Sequence, residues 1–370
     1  MNAKVSHGRK VENPAEYRPR PPKAKKKSSS NPLLAGINKY FSRFHPGTLD
    51  ADIVLPSRYL LYPPLLLLPA QFESTSPKWQ AEYENLGADL KYELFQTIAL
   101  SFRAAGQNVT HIALNGPVRE VISIGGNQLP NMMRSPTAFC PVYGDWGPTL
   151  IQQAGPTAQD FEQAFWISTK QDHGVTQTWA PRWTMFSQGN LSEKKRILGT
   201  AGRDYFEGQN EADIERMEVL DMYVGIGYFA LCYLARGVSR VWGWDLNGWS
   251  IEGLRRGCVA NGWRCLVVEV SDDGKGMAPP AEELVRLLQN ENDLPLDQRT
   301  RCIAFRGNNE HAAAIVGAID EERRRQDSVT QLLRFDHVNL GLLPDSRPSW
   351  STAMELAAES SSIVNRFRSC

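Results

Sequence analysis

The chain has 370 residues, a hydrophobic content of 42% and equal numbers of acidic and basic side chains. This length supports one large hydrophobic core and a smaller second one. No apolar run is long enough to cross a bilayer, the leucines of residues 65–68 included, and the first ten residues lack the apolar segment of a secretory signal. We therefore expect a cytoplasmic, monomeric protein without membrane segments.

The six cysteines are scattered, with no CxxC pair and no histidine at metal-ligand spacing. They are Cys140, Cys232, Cys258, Cys265, Cys302 and Cys370. Such a distribution is typical of reduced, mostly buried thiols in the cytosol. It predicts no metal site and no disulfide framework.

Charge is distributed unevenly along the chain. Residues 1–45 contain eleven lysines and arginines against two glutamates, so the remainder is net acidic. Because proline and serine are frequent around residues 19–30, this segment has little apolar surface to bury, and we predict a basic, disordered tail. Contact with RNA phosphates, a nuclear address and simple solubilisation are all compatible with it.

Apolar periodicity and turn residues divide the rest of the chain. Residues 46–108 predict an entry segment and a long helix from residue 79 to 105, and residues 109–200 predict a small α+β domain. From residue 201 to 370, predicted strands and helices alternate. This alternation predicts an α/β unit with a doubly wound, Rossmann-like parallel sheet.

Polar residues and glycines follow the first three predicted strands of this sheet. After the first strand come Asp221, Gly225 and Gly227, and glycine lets a backbone turn sharply and approach a ligand. Asp245 ends the second strand, where a carboxylate can accept ribose hydroxyls, and Ser271-Asp272-Asp273 ends the third, where one can accept an adenine amino group. Turn glycines and helix-capping aspartates are the alternative for each feature alone. Together they predict an adenosine cofactor, and GxG rather than GxGxxG favours S-adenosylmethionine.

Three segments resemble one group of RNA-modifying enzymes. Residues 221–229 (DMYVGIGYF) resemble the D-x-x-A-G-I-G-Y-F motif shared by the tRNA guanine-37 N1-methyltransferases and the wybutosine aminocarboxypropyltransferases. Residues 185–196 are similar to M-F-S-x-G-N-x-x-E-K-x-R, and residues 339–344 to N-L-G-L-x-P, both of the tRNA wybutosine-synthesizing protein 2 family. The methyltransferases place an arginine where this chain has Gly189. The resemblance therefore favours the wybutosine branch.

This resemblance covers roughly residues 55–350 and implies a class I methyltransferase-like fold, S-adenosylmethionine as co-substrate and tRNA as partner. The implied reaction transfers the 3-amino-3-carboxypropyl group to carbon 7 of 4-demethylwyosine at position 37 of phenylalanine tRNA, with release of methylthioadenosine. Two alternatives are methyl transfer to guanosine 37 and a non-catalytic tRNA-binding protein.

The resemblance also implies site residues. The implied cofactor contacts are Ser187, Lys194, Asp245, Asp272 and Asp273. Lys194 can pair with the methionine carboxylate and Ser187 can hydrogen-bond the same group, although a run of charges is otherwise a solvated helix face. Asn190 and Asn339 are the candidate catalytic residues. Asn339 fits a contact to the edge of a flipped-out base, or a strand-end cap.

The chain departs from the family pattern in three places. Asp245 stands where the family usually has glutamate, and Ser271-Asp272-Asp273 stands where it usually has Gly-Asp-Asn. The sequence also stops before the strand and closing hairpin that relatives carry after residues 339–344. We therefore expect the sheet to lack its last strands, which would leave an open apolar edge and favour the non-catalytic alternative.

Overall fold

The computed structural model describes residues 31–47, 49–50, 52–124, 127–147, 149, 155–171, 173–186, 189–200, 202, 204–327, 332–341 and 346–364. Its two main sheets have four and seven strands, and two hairpins accompany them. Within these residues, no helix combines the length and the apolar character needed to cross a lipid bilayer.

The first half of the chain alternates short strands with helices. In chain order its elements are α1 (Pro32–Phe44), β1 (Leu60–Tyr62), β2 (Leu65–Pro69), α2 (Pro77–Glu84), α3 (Ala88–Ala104), β3 (His111–Asn115), β4 (Val121–Ile124), β5 (Asn127–Pro130), β6 (Phe139–Tyr143), α4 (Ala158–Gln163), β7 (Ile167–Lys170), β8 (Thr176–Trp179) and α5 (Leu191–Ile197). Strands β7 and β8 pair antiparallel and form a hairpin. The predicted single helix over 79–105 is two helices, because α2 ends at Glu84 and α3 begins at Ala88.

The second half is the larger α/β unit. Its elements are α6 (Glu211–Ile214), β9 (Glu218–Asp221), α7 (Ala230–Arg236), β10 (Arg240–Asp245), α8 (Gly248–Ala260), β11 (Arg264–Val270), β12 (Met277–Ala278), α9 (Ala281–Gln289), β13 (Thr300–Arg306), α10 (Ala312–Asp327), β14 (Phe335–Asn339), α11 (Trp350–Leu356) and β15 (Ala357–Val364). The strand order is β12-β11-β13-β10-β9-β14-β15, and every neighbouring pair is parallel except β11 with β12. The predicted α/β class with a doubly wound parallel sheet is confirmed.

Helix α1 lies inside the stretch that was predicted as a disordered tail, and for residues 32–44 that prediction is wrong. Leu33, Ile37 and Phe41 are buried in the hydrophobic core that α1, α2, α3 and the four-stranded sheet share, which we call the small unit. Helix α1 packs along α3, and the position of a Cβ on Gly36 lies 2.7 Å from the Cα atom of Ile98, so only glycine permits this approach. An apolar helical face of this kind supplies the burial that the preceding basic residues lack.

The predicted border between residues 108 and 109 does not separate two units. Strand β2 precedes that border and β3 follows it, yet they are parallel neighbours with Leu66 opposite Ile112. The helices before the border cover the same sheet, so residues 32–143 share one core. A strand pair of this kind joins segments that are distant in sequence.

The strand order of the large sheet differs from the order of its strands along the chain. Strand β11, predicted as the third strand, is separated from β10 by β13, which pairs with both. The strand expected to be missing after residues 339–344 is present as β15, which pairs parallel with β14 from Phe335–Ala357 to Asn339–Val364. The open edge therefore does not lie at β14.

Candidate active site

The polar residues predicted from the motifs meet at the carboxyl edge of the seven-stranded sheet. Strand β9 lies between β10 and β14 in the sheet. It ends at Asp221, and β14 ends at Asn339. This is the point where the strand order reverses, and ligands of doubly wound sheets bind in the crevice outside such a reversal. Asn339 donates from Nδ2 to Oδ2 of Asp221 over 3.0 Å, and its carbonyl oxygen accepts from the N–H of Met222.

The Asp221 carboxylate is buried and has no cationic partner in the described part of the chain. It accepts from Asn339 and from the N–H of Tyr223, and its side chain is 1% exposed. Burial raises the pKa of Asp221 to about 7, and the nearby Asp245 adds to that rise while the two hydrogen bonds oppose it. An acid with a strongly perturbed pKa in a crevice is a feature of functional sites.

Asp245 is hydrogen-bonded to the loop of residues 222–229 between β9 and α7, which we call the glycine loop. Its Oδ2 accepts from the N–H of Gly225 over 2.9 Å, and its Oδ1 accepts from the N–H of Asn247 over 2.8 Å. Burial raises the pKa of Asp245 to about 6 against these two bonds. Gly225 has a φ of +55°, and a Cβ there would lie 2.9 Å from the Tyr228 ring. The loop therefore requires glycine for both its backbone angle and its packing.

Lys194 lies inside the protein, although a solvated helix face was the alternative for its charged run. Helix α5 begins after Asn190, whose backbone is left-handed with a φ of +58°. This entry turns the helix so that Lys194 is 2% exposed, with its Nζ 5.8 Å from the centre of the Tyr228 ring. Burial lowers the pKa of Lys194, and no carboxylate among the described residues forms an ion pair with it. A buried ammonium without an anion is costly unless a ligand supplies one.

Residues 185–196 contain two other predicted site residues, Ser187 and Asn190. Ser187 lies outside the described residues. Asn190 is exposed, and its side chain makes no capping hydrogen bond to α5. Its amide is therefore not occupied by the helix, and its catalytic assignment stays a prediction.

Asp272 and Asp273 are not in the position that the motif argument assumed. They follow β11, which lies one strand farther from Asp245 than β13, and both are exposed. Strand β13 is followed by Gly307-Asn308-Asn309, where the N–H of Gly307 donates to the carbonyl of Asp245. This tripeptide matches the family's Gly-Asp-Asn at two of three positions. Local sequence does not encode which strands become neighbours, so it could not distinguish the end of β11 from the end of β13, and the assignment of Asp272 and Asp273 stays a prediction.

An aromatic cavity of about 340 Å³ lies between the four-stranded sheet and residues 179–186. Tyr62, Trp179 and Phe186 line it, with the rings of Trp179 and Phe186 stacked 3.9 Å apart. Met185 also lines it, and the carbonyl oxygen of Met185 accepts from the hydroxyl of Tyr228 in the glycine loop. Ligand cavities of this size and character are usually apolar, with a few polar groups for orientation.

Sequence comparison identifies relatives of this chain. It is 33% identical over 337 residues to tRNA wybutosine-synthesizing protein 2 of Schizosaccharomyces pombe, across 90% of this chain and 66% of the relative. It is 29% identical over 333 residues to the Saccharomyces cerevisiae protein of the same name, across 82% of this chain and 57% of that relative. These proteins are homologues of this chain. No protein-family model matches the sequence.

The homology to tRNA wybutosine-synthesizing protein 2 covers nearly all of this chain but only about three fifths to two thirds of those relatives. A crystal structure of Pyrococcus horikoshii TYW2 in complex with MeSAdo overlaps 88% of this chain and 77% of its own, at 13% identity and a TM-score of 0.44. The sequence relatives agree with the branch that residues 185–196 and 339–344 indicated.

Proposed function

We propose that this protein transfers the 3-amino-3-carboxypropyl group of S-adenosylmethionine to carbon 7 of 4-demethylwyosine at position 37 of phenylalanine tRNA. The observation that carries the proposal is Lys194, a buried ammonium with no ion-pair partner among the described residues, next to the glycine loop. The homology to tRNA wybutosine-synthesizing protein 2 supports the choice of substrate. The small product of this transfer is methylthioadenosine.

The residues at the carboxyl edge fit the adenosine part of S-adenosylmethionine. Each Asp245 oxygen accepts one backbone N–H and keeps a second lone pair, so both can also accept a ribose hydroxyl. Asn308 follows β13, the strand that pairs with β10 beside Asp245. It is proposed to contact the adenine edge in place of Asp272 and Asp273. The glycine at position 225 lets the ligand approach the backbone closely.

The methionine part determines which group is transferred. S-adenosylmethionine supplies three electrophilic carbons on one sulfonium, and the orientation of the bound molecule selects among them. Lys194 is proposed to hold the methionine carboxylate by a charge-assisted hydrogen bond, assisted by Ser187. A fixed carboxylate fixes the methionine chain, so that the γ-carbon rather than the methyl group faces the acceptor. Gly189 in place of an arginine is consistent with this choice.

The acceptor base is proposed to enter through the aromatic cavity beside Met185. Enzymes that modify a base take it out of the stack and hold it between aromatic and apolar side chains. Tyr62, Trp179 and Phe186 provide such surfaces, and Asn115 and Thr184 are polar groups of the same lining. Asn339 is proposed to contact the base edge, because its bond to Asp221 uses one N–H and leaves the second available.

The decisive experiment follows the label. Phenylalanine tRNA carrying 4-demethylwyosine is incubated with the full chain and S-adenosylmethionine labelled either in the carboxyl carbon or in the methyl carbon. We expect carboxyl label in the tRNA, no methyl label, and methylthioadenosine as the small product. Methyl label with S-adenosylhomocysteine would instead identify a guanosine methyltransferase. No label from either form, with intact protein, would favour a non-catalytic tRNA-binding protein.

A substitution in the cavity tests the position of the acceptor base separately from the cofactor site. Asn115 is exposed at the end of β3 and lines the cavity, so Asn115→Trp is expected to fill the entrance without disturbing the core. Transfer to tRNA should fall strongly while the affinity for S-adenosylmethionine stays unchanged. Unchanged transfer would place the acceptor base elsewhere.

A further inference from the structure

Three cysteines that are far apart in sequence meet in the large unit. Cys258 lies in the last turn of α8, Cys265 near the start of β11 and Cys302 near the start of β13. Their three sulfur atoms all lie within 4.8 Å of one another. Cys258 and Cys302 are fully buried, and Cys265 is partly exposed. This cysteine cluster is near the amino ends of its strands, at the opposite edge of the sheet from Asp245.

The backbone holds the cluster in place. Cys265 and Cys302 are direct partners on the neighbouring parallel strands β11 and β13. Helix α8 packs on both strands, and the N–H of Trp263 donates to the carbonyl of Cys258 over 2.9 Å, which closes the turn from the helix into β11. The third sulfur atom is therefore placed above the other two by regular secondary structure. A site on helices and strands is better ordered than a site on loops.

Positive charge surrounds the three thiols. Arg301 is 5% exposed, donates to the carbonyls of Val238 and Ser239, and has no ion-pair partner among the described residues. Arg255, on the same helix as Cys258, is a second cation near the cluster. These two cations can offset the negative charge of thiolate ligands, which is the form of cysteine that binds metal.

We propose that Cys258, Cys265 and Cys302 bind one soft d10 metal ion, Cu⁺ or Zn²⁺. Sulfur donors select these ions over hard cations such as Mg²⁺ and Ca²⁺, which take oxygen ligands. Metal–sulfur bonds of about 2.3 Å require each sulfur to move by about 1 Å or less from its present position. The described residues offer no fourth cysteine, histidine or carboxylate to this group. A three-sulfur set suits Cu⁺, whereas Zn²⁺ needs a fourth ligand to complete its tetrahedron.

The charges are compatible with such a site. A thiolate set around one cation carries net negative charge, and a buried negative charge requires nearby positive groups. Arg301 and Arg255 supply them, although Arg255 is also paired with Glu252. The proposal does not depend on the transferase activity, because none of the cluster residues reaches the carboxyl edge.

The test measures metal binding directly. The full chain is purified anaerobically, stripped of metal and titrated with Cu⁺ and with Zn²⁺, each against a chromogenic chelator of known affinity. We expect one equivalent of metal per chain, ultraviolet thiolate-to-metal charge-transfer absorption, and a higher melting temperature for the loaded protein. Tighter binding of Cu⁺ than of Zn²⁺, relative to the competing chelators, identifies Cu⁺ as the preferred ion. The reverse order identifies Zn²⁺.

Serine variants assign the binding to the cluster. Cys258→Ser, Cys265→Ser and Cys302→Ser should each weaken binding about tenfold or more, with circular dichroism confirming that each variant folds. The matched control is Cys232→Ser, since Cys232 is buried in the same core but lies outside the cluster. Cys140→Ser controls for the exposed thiol. Failure of both ions to bind stoichiometrically, or loss of binding only in Cys140→Ser, would overturn the proposal.

Discussion

Each end of strand β9 carries a carboxylate, but the two differ in whether a cation pairs with them. At its start, Glu218 is 3.0 Å from Arg240 and accepts from the indole N–H of Trp242, so its charge is fully paired. At its end, Asp221 is buried with no cation beside it among the described residues, and its pKa is raised by that burial. Only Val219 and Leu220 separate an ion-paired carboxylate from one that has hydrogen bonds alone.

This contrast separates stabilising charges from functional ones. Paired, partly exposed charges such as Glu218 with Arg240 are what a fold tolerates on its own. Costly buried groups such as Asp221 and Lys194 are concentrated at functional sites, where a ligand can complete their interactions. We therefore expect substitutions at the amino end of the sheet to change mainly the free energy of unfolding. Substitutions at the carboxyl end should change mainly the affinity for the ligand.

The largest effect is expected for Lys194→Met. Binding of S-adenosylmethionine should weaken by about 3 to 5 kcal/mol, because the ligand carboxylate would lose its buried cation. Methylthioadenosine has no carboxylate and should lose little. Calorimetry with both ligands measures the difference, and Lys195→Met, one residue along the same helix, is the control. Equal losses for the two ligands would remove Lys194 from the methionine site.

Asp245→Ala should weaken the binding of both ligands by about 1 to 3 kcal/mol, the usual effect of leaving hydrogen-bonding groups unpaired in a partly buried site. Asp273→Ala is the matched control, since Asp273 is exposed and lies one strand farther away. It should change neither affinity. An unchanged affinity in Asp245→Ala would remove Asp245 from the site, and an equal loss in Asp273→Ala would restore β11 as a cofactor strand.

The pH dependence of stability should reveal Asp221. Its folded-state pKa of about 7 lies above the ordinary value of 3.8, so the folded protein holds this proton over a pH range where the unfolded chain has released it. Stability should therefore fall as the pH rises from about 4 to 7 and level off above that. Asp221→Asn should remove that fall, because an amide does not titrate in this range. Urea unfolding at several pH values measures it, and an unchanged slope would show that Asp221 is ionised throughout.

The smallest effect is expected at the opposite end of the sheet. Arg240→Met should lower the free energy of unfolding by about 1 kcal/mol, because Glu218 keeps its bond from Trp242 when the ion pair is lost. Its affinity for S-adenosylmethionine should not change. Urea denaturation and calorimetry on the same preparation test both statements. A loss of affinity comparable to that of Lys194→Met would mean that the two ends are not functionally distinct.

Much of the large unit was predictable from local patterns. The expected alternation of strands and helices is present, and β10 ends at Asp245 as predicted. These elements follow from apolar periodicity, glycine and capping residues, all of which are local in sequence. Helix α1 was missed because the surrounding basic and proline-rich residues outweighed a short apolar face.

What the sequence alone determined is the set of chemical groups: a glycine loop, acidic strand ends and a lysine in the segment that resembles the wybutosine branch. Only the tertiary structure decided which of these groups are neighbours. It placed β13 rather than β11 beside β10, buried Lys194 without an anion among the described residues, and brought Cys258 to Cys302. The physical reason is that periodicity and turn chemistry act over a few residues, whereas strand order and burial depend on contacts between distant segments.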